Sequence, residues 1–241
     1  MKKNPIFVIG TGRSGTHWLG LSVMAHPDIR ATIEDPQIFS MSTRMAINLS
    51  KQKKYMWKLI LMYRWQIFLS SPKRYLDKSH PNIWHAERLI KAFPNAEFLG
   101  IERDPFATVA SMIRHKGVSS WHKCWHEYPV PNKFLGITSE IADTYDNLSL
   151  ETQCSLRWLS HHNRMIELRD ILGTSLKVIS YERFAFHTQE TISQLEEFLK
   201  LSNHIPLPEV RRDSLSKWKK QLSLTQIEQI SNVVGFSPET K

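Results

Sequence analysis

The segment GTGRSGTHW has the residue types of a phosphate-binding loop between a short apolar run and a helical pattern. Gly10 and Gly12 allow backbone conformations that are closed to other residues. The first turn of a following helix offers free N–H groups and the positive end of the helix dipole. Arg13 adds a planar guanidinium that suits phosphate oxygens, and Ser14 and Thr16 add hydroxyl donors. We therefore predict that this loop binds a phosphate group.

The same loop lacks the residues that ATP hydrolysis requires. In the nucleotide triphosphatase pattern G-x-x-x-x-G-K-[ST], the lysine reaches the outer phosphates and the hydroxyl holds magnesium. Gly10 and Gly15 match the two glycines, but Thr16 and His17 follow them. Because both the lysine and the magnesium-binding hydroxyl are missing, the pattern predicts phosphate binding without ATP hydrolysis.

A second anion-binding segment, IERDPFATVASMIRH, spans residues 101–115. Arg103 ends a second predicted strand, and Ser111 lies eight residues later on a predicted helix. Pro105 suits the first position of that helix, where its missing N–H would have had no partner. A phosphate on one side of this helix could contact both Arg103 and Ser111.

In this order, the two segments resemble the nucleotide-binding segments of sulfotransferases that use 3′-phosphoadenosine 5′-phosphosulfate (PAPS). Their patterns are roughly x-x-x-[KR]-S-G-T-[ST]-[WL]-L and R-[DN]-P-x-x-x-x-x-S. The resemblance implies that Arg103 and Ser111 hold the 3′-phosphate. His17 stands where the family has threonine or serine, and Trp18 where cytosolic members place an aromatic ring against the adenine. The resemblance also implies a 5′-phosphosulfate site, with Arg13 among the catalytic groups as well. The residues of this site are Arg13, Ser14, Gly15, Thr16, His17 and Trp18.

Two later segments extend the resemblance. Tyr181 in ISYERF matches a tyrosine that lies near the adenine in cytosolic members. The segment RRDSLSKWKKQL resembles the family's loop R-K-G-x-x-G-x-W-K over the nucleotide. Arg211, Arg212 and Trp218 match its basic pair and its tryptophan, whereas Asp213 replaces the first glycine.

Sulfuryl transfer needs a base for the acceptor proton, a cation on the bridging oxygen, and alignment, but no metal. Lys78, in YLDKSHPN, is the expected cation. His80 resembles the histidine base of cytosolic sulfotransferases, and its ordinary pKa near 6.5 suits that role. Glu34, in ATIEDPQIF, resembles the glutamate base of Golgi-type carbohydrate and tyrosine sulfotransferases, and a carboxylate must be partly desolvated for this. Both bases remain open, and an ion pair with Lys78 is the alternative role for Glu34.

A metal site is not expected. His122 and His126 are four residues apart, a spacing that can bind zinc on a helix, but no third ligand is apparent nearby. The chain has two cysteines in 241 residues, and their spacing suggests neither a metal site nor a disulfide framework, which favours a reducing compartment.

The net charge of +9 indicates an anionic partner. PAPS concentrates several negative charges on one small molecule and explains this surplus better than nucleic acid, which favours a basic stripe with interleaved aromatic residues. Two alternative functions remain: a nucleotide kinase or NTPase with a related loop, and a non-enzymatic basic module that binds polyanions.

The elements that must position these residues alternate between strand and helix. This alternation predicts a single α/β domain over residues 1–241, with a central parallel sheet flanked by helices. The resemblance implies a fold like that of P-loop NTPases, and ligands then bind at the carboxyl ends of the strands. The predicted strands are 6–9, 74–77, 97–101 and 176–180. The predicted helices are 15–25, 43–69, 83–93, 105–115, 151–172, 191–199 and 222–234, and 116–147 is predicted to be irregular.

Location and acceptor are the least determined features. The apolar run after the two N-terminal lysines is too short for a signal peptide. Residues 57–69 form the nearest approach to a membrane span, but Lys58 and Arg64 interrupt it. We expect a cytoplasmic protein with scope for peripheral membrane contact, acting on a small molecule, carbohydrate, lipid or peptide. Aromatic residues that could wall the acceptor cleft or belong to the core are Tyr55, Trp57, Tyr63, Trp65, Trp121, Trp125 and Tyr128.

Overall fold

A computed structural model describes residues 4–210 and 212–238, which contain a five-stranded sheet in the order β2-β3-β1-β4-β5. Every neighbouring pair of strands is parallel. The central strand is buried along its whole length, as expected for a parallel sheet that is covered on both faces. The predicted α/β class is therefore confirmed. The strands are β1 (Ile6–Gly10), β2 (Ile29–Ile33), β3 (Arg74–Lys78), β4 (Glu97–Glu102) and β5 (Leu176–Ser180).

Helices pack on both faces of the sheet, and alternate residues of β1 point to opposite faces. Phe7 and Ile9 belong to one apolar cluster, whereas Ile6 and Val8 belong to another. No helix in the described ranges is long and apolar enough to cross a bilayer. The helices are α1 (Thr16–Met24), α2 (Pro36–Ile47), α3 (Gln52–Ser70), α4 (Ala86–Ala92), α5 (Pro105–Ile113), α6 (Lys116–Lys123), α7 (Leu150–Leu172), α8 (Tyr181–Phe186), α9 (Thr188–Leu199), α10 (Asp213–Ser216) and α11 (Leu224–Val234).

Strand β2 was not among the predicted strands. It lies at the edge of the sheet, and Ile29 is its only buried residue, so the sequence contains no continuous apolar run there. Its last residue, Ile33, pairs with Lys78 at the end of β3. This register places Glu34, the next residue, beside Lys78.

The long helix predicted over residues 43–69 is two helices, and the first begins earlier. The Asp35 carboxylate accepts hydrogen bonds from the backbone N–H groups of Gln37 and Ile38, which caps α2. Asn48 then has an extended backbone (φ −130°, ψ 91°) that separates α2 from α3. Helix α6 lies within the stretch predicted to be irregular, and the His115 side chain caps its start.

The strand order explains where a ligand site forms. The chain places β3 on one side of β1 and β4 on the other, so the connections after β1 diverge and leave a crevice at the carboxyl ends of the strands. The loop after β1, Lys78 at the end of β3 and Arg103 after β4 meet at this edge.

Candidate functional site

The loop between β1 and α1 is held in a tight conformation by its own side chains. The buried Ser14 hydroxyl donates to the carbonyl oxygens of Thr11 (2.7 Å) and Ile101 (3.2 Å). Arg13 and Gly15 have positive φ values of 78° and 100°. Gly15 immediately precedes α1, so the free N–H groups of the first turn begin at the loop. The Ser14 side chain therefore shapes the phosphate loop.

Two glycines let other site residues approach this loop closely. A Cβ atom on Gly12 would lie 3.1 Å from Nε2 of His80, and one on Gly15 would overlap the Tyr181 ring. Because both neighbours belong to the predicted site, the glycines allow the loop, the histidine and the tyrosine to pack together.

A direct hydrogen bond joins the two anion-binding segments. Nε of Arg13 donates to Oγ of Ser111 over 3.1 Å, although 98 residues separate them. The Arg103 guanidinium donates to the Arg13 carbonyl oxygen over 3.4 Å and lies 4.2 Å above the centre of the Tyr181 ring. It also donates to the Ser214 carbonyl oxygen over 2.6 Å, which ties the C-terminal segment to the site.

Two adjoining cavities meet at these residues. The main cavity, of about 820 Å³, contains Trp18, Glu34, Lys78 and His80 in its wall. The second, of about 460 Å³, is bordered by Trp218, which stacks on Phe106 with 5.2 Å between ring centres. Residues shared by both walls are Arg13, Arg103, Ser111 and His115. The shared cations place positive charge where the cavities join.

Lys78 and Glu34 form an ion pair in the wall of the main cavity. Nζ of Lys78 donates to Oε1 of Glu34, and the Glu34 backbone N–H donates to the Lys78 carbonyl oxygen over 2.9 Å. His80 is buried, with its Nδ1 3.6 Å from Oε1 of Glu34. Lys78 is almost fully buried, whereas the Glu34 side chain is 38% exposed. Glu34 has a left-handed backbone (φ 54°), which is unusual for a non-glycine residue.

Both candidate bases are unprotonated near neutral pH. Burial raises the pKa of Glu34, but the nearby His80 imidazole and the charge of Lys78 outweigh it and lower that pKa to about 2. Burial lowers the pKa of His80 to about 4. Burial also lowers the pKa of the Lys78 ammonium, although the Glu34 carboxylate opposes that shift.

The buried carboxyl group of Asp77 fixes the position of the turn that follows β3. Asp77 precedes Lys78 on β3 and is fully buried, and burial raises its pKa to about 7. The Tyr63 hydroxyl and the Asn82 amide donate to its Oδ2 over 3.0 and 2.8 Å. Because Asn82 lies just after His80, this network fixes the turn that carries the histidine.

Comparison with known proteins identifies the family. The model of the sulfotransferase family matches residues 5–204. The chain belongs to the sulfotransferase family. It is 25% identical to a protein-tyrosine sulfotransferase of Drosophila melanogaster, over 97% of this chain and 52% of that protein. The chain thus spans about half the length of the curated relative that it matches.

Solved structures confirm the sulfotransferase fold. The sulfotransferase domain of the curacin biosynthetic pathway has a TM-score of 0.63 and 13% identity, covering 98% of this chain and 99% of that domain. A mouse sulfotransferase complexed with PAP has a TM-score of 0.55 and 16% identity, covering 97% and 84%. At these identities, the likeness concerns the fold.

Some residues predicted to contact the nucleotide lie apart from the two cavities. Arg212 is exposed just before α10 and is not among the residues that line them, and Arg211 lies outside the described residues. His17 is largely exposed and lines the main cavity, where the partial burial of its ring lowers its pKa. Trp18 also lines it, with one ring face stacked on Phe184 at 3.9 Å.

Sequence reasoning missed Arg157, a fully buried cation in α7. Its guanidinium carbon lies 4.7 and 4.6 Å from the ring centres of Trp121 and Phe134. Among the described residues, its three nitrogens find no hydrogen-bond partner. It contributes to the wall of the main cavity, as does Trp121. The helical spacing of Cys154, Arg157 and His161, all buried, is the sequence pattern that could have found it.

The aromatic residues divide between several roles. Trp121 is the member of the predicted set that lines the main cavity, and Tyr63 belongs to the core. Trp57 and Trp65 are exposed on α3. His122 contacts the Tyr145 hydroxyl, whereas His126 contacts the Asp146 carboxylate, so the two histidines have different partners.

Buried neutral histidines are expected to make the fold sensitive to acid. Burial lowers the pKa of His80 and His85 to about 4, that of His122 to about 3, and that of His161 further. An unfolded histidine titrates near 6.5, so the unfolded chain binds these protons first. Each buried neutral histidine stabilises the fold above about pH 6.5. Below that pH, each lowers the free energy of unfolding by up to about 1.4 kcal/mol per pH unit. The raised pKa of Asp77 has the opposite effect, because the folded chain binds a proton there that the unfolded chain releases. It therefore offsets the contribution of one histidine.

Denaturant unfolding across this pH range measures the effect. The free energy of unfolding should fall steeply as the pH drops from about 6.5 towards 4. As a control, His204→Asn changes a histidine whose side chain is 94% exposed and should leave the slope unchanged. A free energy of unfolding that stays constant over this range would show that these histidines are not buried as neutral groups.

Proposed function

We propose that this sulfotransferase transfers the sulfuryl group of PAPS to a hydroxyl or amine of an acceptor and releases adenosine 3′,5′-bisphosphate. The observation that carries the proposal is the Arg13–Ser111 hydrogen bond, which unites the two anion-binding segments beside Lys78 and Glu34. A donor with phosphate groups on the 3′ and 5′ positions of one ribose needs two such sites at a fixed separation.

The residues present suit this donor. Backbone N–H groups at the start of α1 and the Arg13 guanidinium would hold the 5′-phosphosulfate, and the glycines leave space for close approach. Arg103 and Ser111 would hold the 3′-phosphate where the two cavities join, with Arg114 and Lys217 adding positive charge in the second cavity.

Lys78 and Glu34 would divide the chemistry between them. The buried Lys78 ammonium would stabilise the negative charge that develops on the bridging oxygen as the bond to sulfur breaks. Glu34 would accept the proton of the attacking hydroxyl or amine. When Lys78 turns towards the bridging oxygen, the carboxylate loses part of its ion pair, and its pKa rises towards a value that suits a base.

Glu34 is the base that the geometry favours over His80. Its carboxylate is partly exposed in the main cavity, whereas the imidazole is buried and directs Nε2 towards Gly12 of the phosphate loop. In this arrangement, His80 would orient the Glu34 carboxylate. All cations in the proposed mechanism are protein side chains, and no step requires a metal ion.

The acceptor would occupy the part of the main cavity that lies away from the phosphate loop. Phe39, Val118 and Trp121 give this wall an apolar character, and Arg157 joins the same wall against the Trp121 ring. Such a surface suits a flat ring that carries the reacting group. Because the Drosophila relative is a protein-tyrosine sulfotransferase, tyrosine peptides are the first acceptors to examine, followed by phenols, sugars, lipid alcohols and amines.

A transfer assay tests the proposed reaction. The protein is mixed with PAPS and each acceptor class, and both adenosine 3′,5′-bisphosphate and the sulfated product are followed by mass spectrometry. We expect the two products in equal amounts with at least one class. Hydrolysis of ATP with magnesium, with PAPS left intact by every acceptor, would instead favour the nucleotide kinase or NTPase reading.

A further inference from the structure

Helix α3 carries a second apolar face that points to solvent. Its buried face packs Met56, Leu59 and Tyr63 into the core. Four large side chains are exposed by half or more and recur at helical spacing, which places them on one face. They are Trp57 (56% exposed), Leu61 (51%), Trp65 (59%) and Phe68 (69%).

The same region is strongly and uniformly basic. Residues 36–76 contain eight lysines and arginines and no aspartate or glutamate. Lys53, Lys54, Lys58 and Arg64 are exposed on α3 itself. At 100° per residue, Lys53 and Arg64 border one side of the apolar face and Lys58 borders the other, while Lys54 lies in line with the face at its N-terminal end. The face is therefore an apolar strip with a cationic margin.

We propose that this face of α3 docks on the surface of an anionic membrane, with the helix axis in the plane of the interface. Tryptophan and phenylalanine suit the boundary between headgroups and acyl chains. Lysine and arginine stems can lie along that boundary while their charged ends reach anionic headgroups.

The charge pattern distinguishes a membrane from a second copy of this chain. Two copies packed through α3 would bring their cationic margins together, and like charges across an interface are unfavourable. An anionic surface neutralises all of these cations at once. It also covers the strip without requiring a complementary pocket.

This proposal concerns binding and does not rest on the proposed function. None of the four exposed apolar residues lines the two cavities at the strand ends. Vesicle binding and donor binding can therefore succeed or fail separately, and each result can be interpreted without the other.

Vesicle cosedimentation tests the proposal. The chain should sediment with phosphatidylcholine vesicles that contain phosphatidylglycerol, and not with phosphatidylcholine alone. The triple variant Trp57→Ser, Trp65→Ser, Phe68→Ser should bind more than about tenfold more weakly because it loses the inserted apolar area. The triple variant Lys54→Gln, Lys58→Gln, Arg64→Gln should lose roughly a hundredfold, from the electrostatic contribution of each cation.

Matched controls keep the result specific to α3. Phe186→Ser changes an aromatic residue of α8 that is 60% exposed, and it should bind vesicles like the unaltered chain. Thermal unfolding checks that each variant is folded. The proposal is overturned if the unaltered chain ignores anionic vesicles, if both triple variants bind as well as it does, or if the serine variant only abolishes self-association.

Discussion

A Lys78→Met variant is expected to lose about two to three orders of magnitude in kcat while still binding adenosine 3′,5′-bisphosphate. Lys78 ends β3 almost fully buried, and its ammonium contacts Glu34 in the wall of the main cavity. Methionine keeps much of the apolar stem but cannot stabilise charge on the bridging oxygen. The loss should therefore appear in turnover more than in donor affinity.

Single-turnover measurements with PAPS and an acceptor that the unaltered protein sulfates separate these effects. Lys177→Met is the matched control, because Lys177 is a partly buried strand lysine on β5 outside both cavity walls. It should turn over like the unaltered protein. Equal losses in the two variants, or a Lys78 variant that loses only donor affinity, would contradict the assigned role.

Glu34→Gln is expected to lower kcat by about two to four orders of magnitude, because glutamine keeps the shape of the side chain but cannot accept the acceptor proton. His80→Asn should lower kcat less, since its imidazole would act by orienting the carboxylate. Both side chains border the main cavity, and the distinction rests on exposure: the Glu34 carboxylate is partly exposed there, whereas the His80 imidazole is buried against the phosphate loop.

Rate measurements on both variants as a function of pH assign the base. Glu209→Gln is the control, because Glu209 also lines the main cavity but lies outside the Lys78 ion pair. It should leave kcat nearly unchanged. If His80→Asn abolishes turnover and Glu34→Gln retains it, the histidine is the base and Glu34 serves as the partner of Lys78.

Local patterns predicted the fold class, and they singled out the two segments that the structure brings together at the strand ends. Strands β1 and β4 are buried on both faces, so the sequence shows continuous apolar runs over residues 6–9 and 98–101. The residues within each segment lie only a few positions apart in the sequence, so their proximity does not depend on the tertiary fold. The chain separation of 98 residues between Arg13 and Ser111 is closed by β1–β4 pairing, which only the structure shows.

Features that depend on tertiary packing were beyond the sequence pattern. Strand β2 is an edge strand with polar residues, yet its register is what joins Glu34 to Lys78. Ser14 was predicted to bind the ligand, but its hydroxyl donates to two carbonyl oxygens of the site. Arg157 follows the helical pattern of α7, and its burial becomes visible only in the structure, where the rings of Trp121 and Phe134 pack against its guanidinium.

The most direct test of the donor site is thermal unfolding with adenosine 3′,5′-bisphosphate, compared with adenosine 5′-monophosphate and with ATP plus magnesium. At about 100 times its dissociation constant, a ligand adds roughly 2.7 kcal/mol to the free energy of unfolding. We predict that the bisphosphate raises the melting temperature most and that Arg13→Ala and Ser111→Ala each reduce the increase. Equal stabilisation by the monophosphate, or stabilisation by ATP with magnesium alone, would contradict a PAPS site built from both segments.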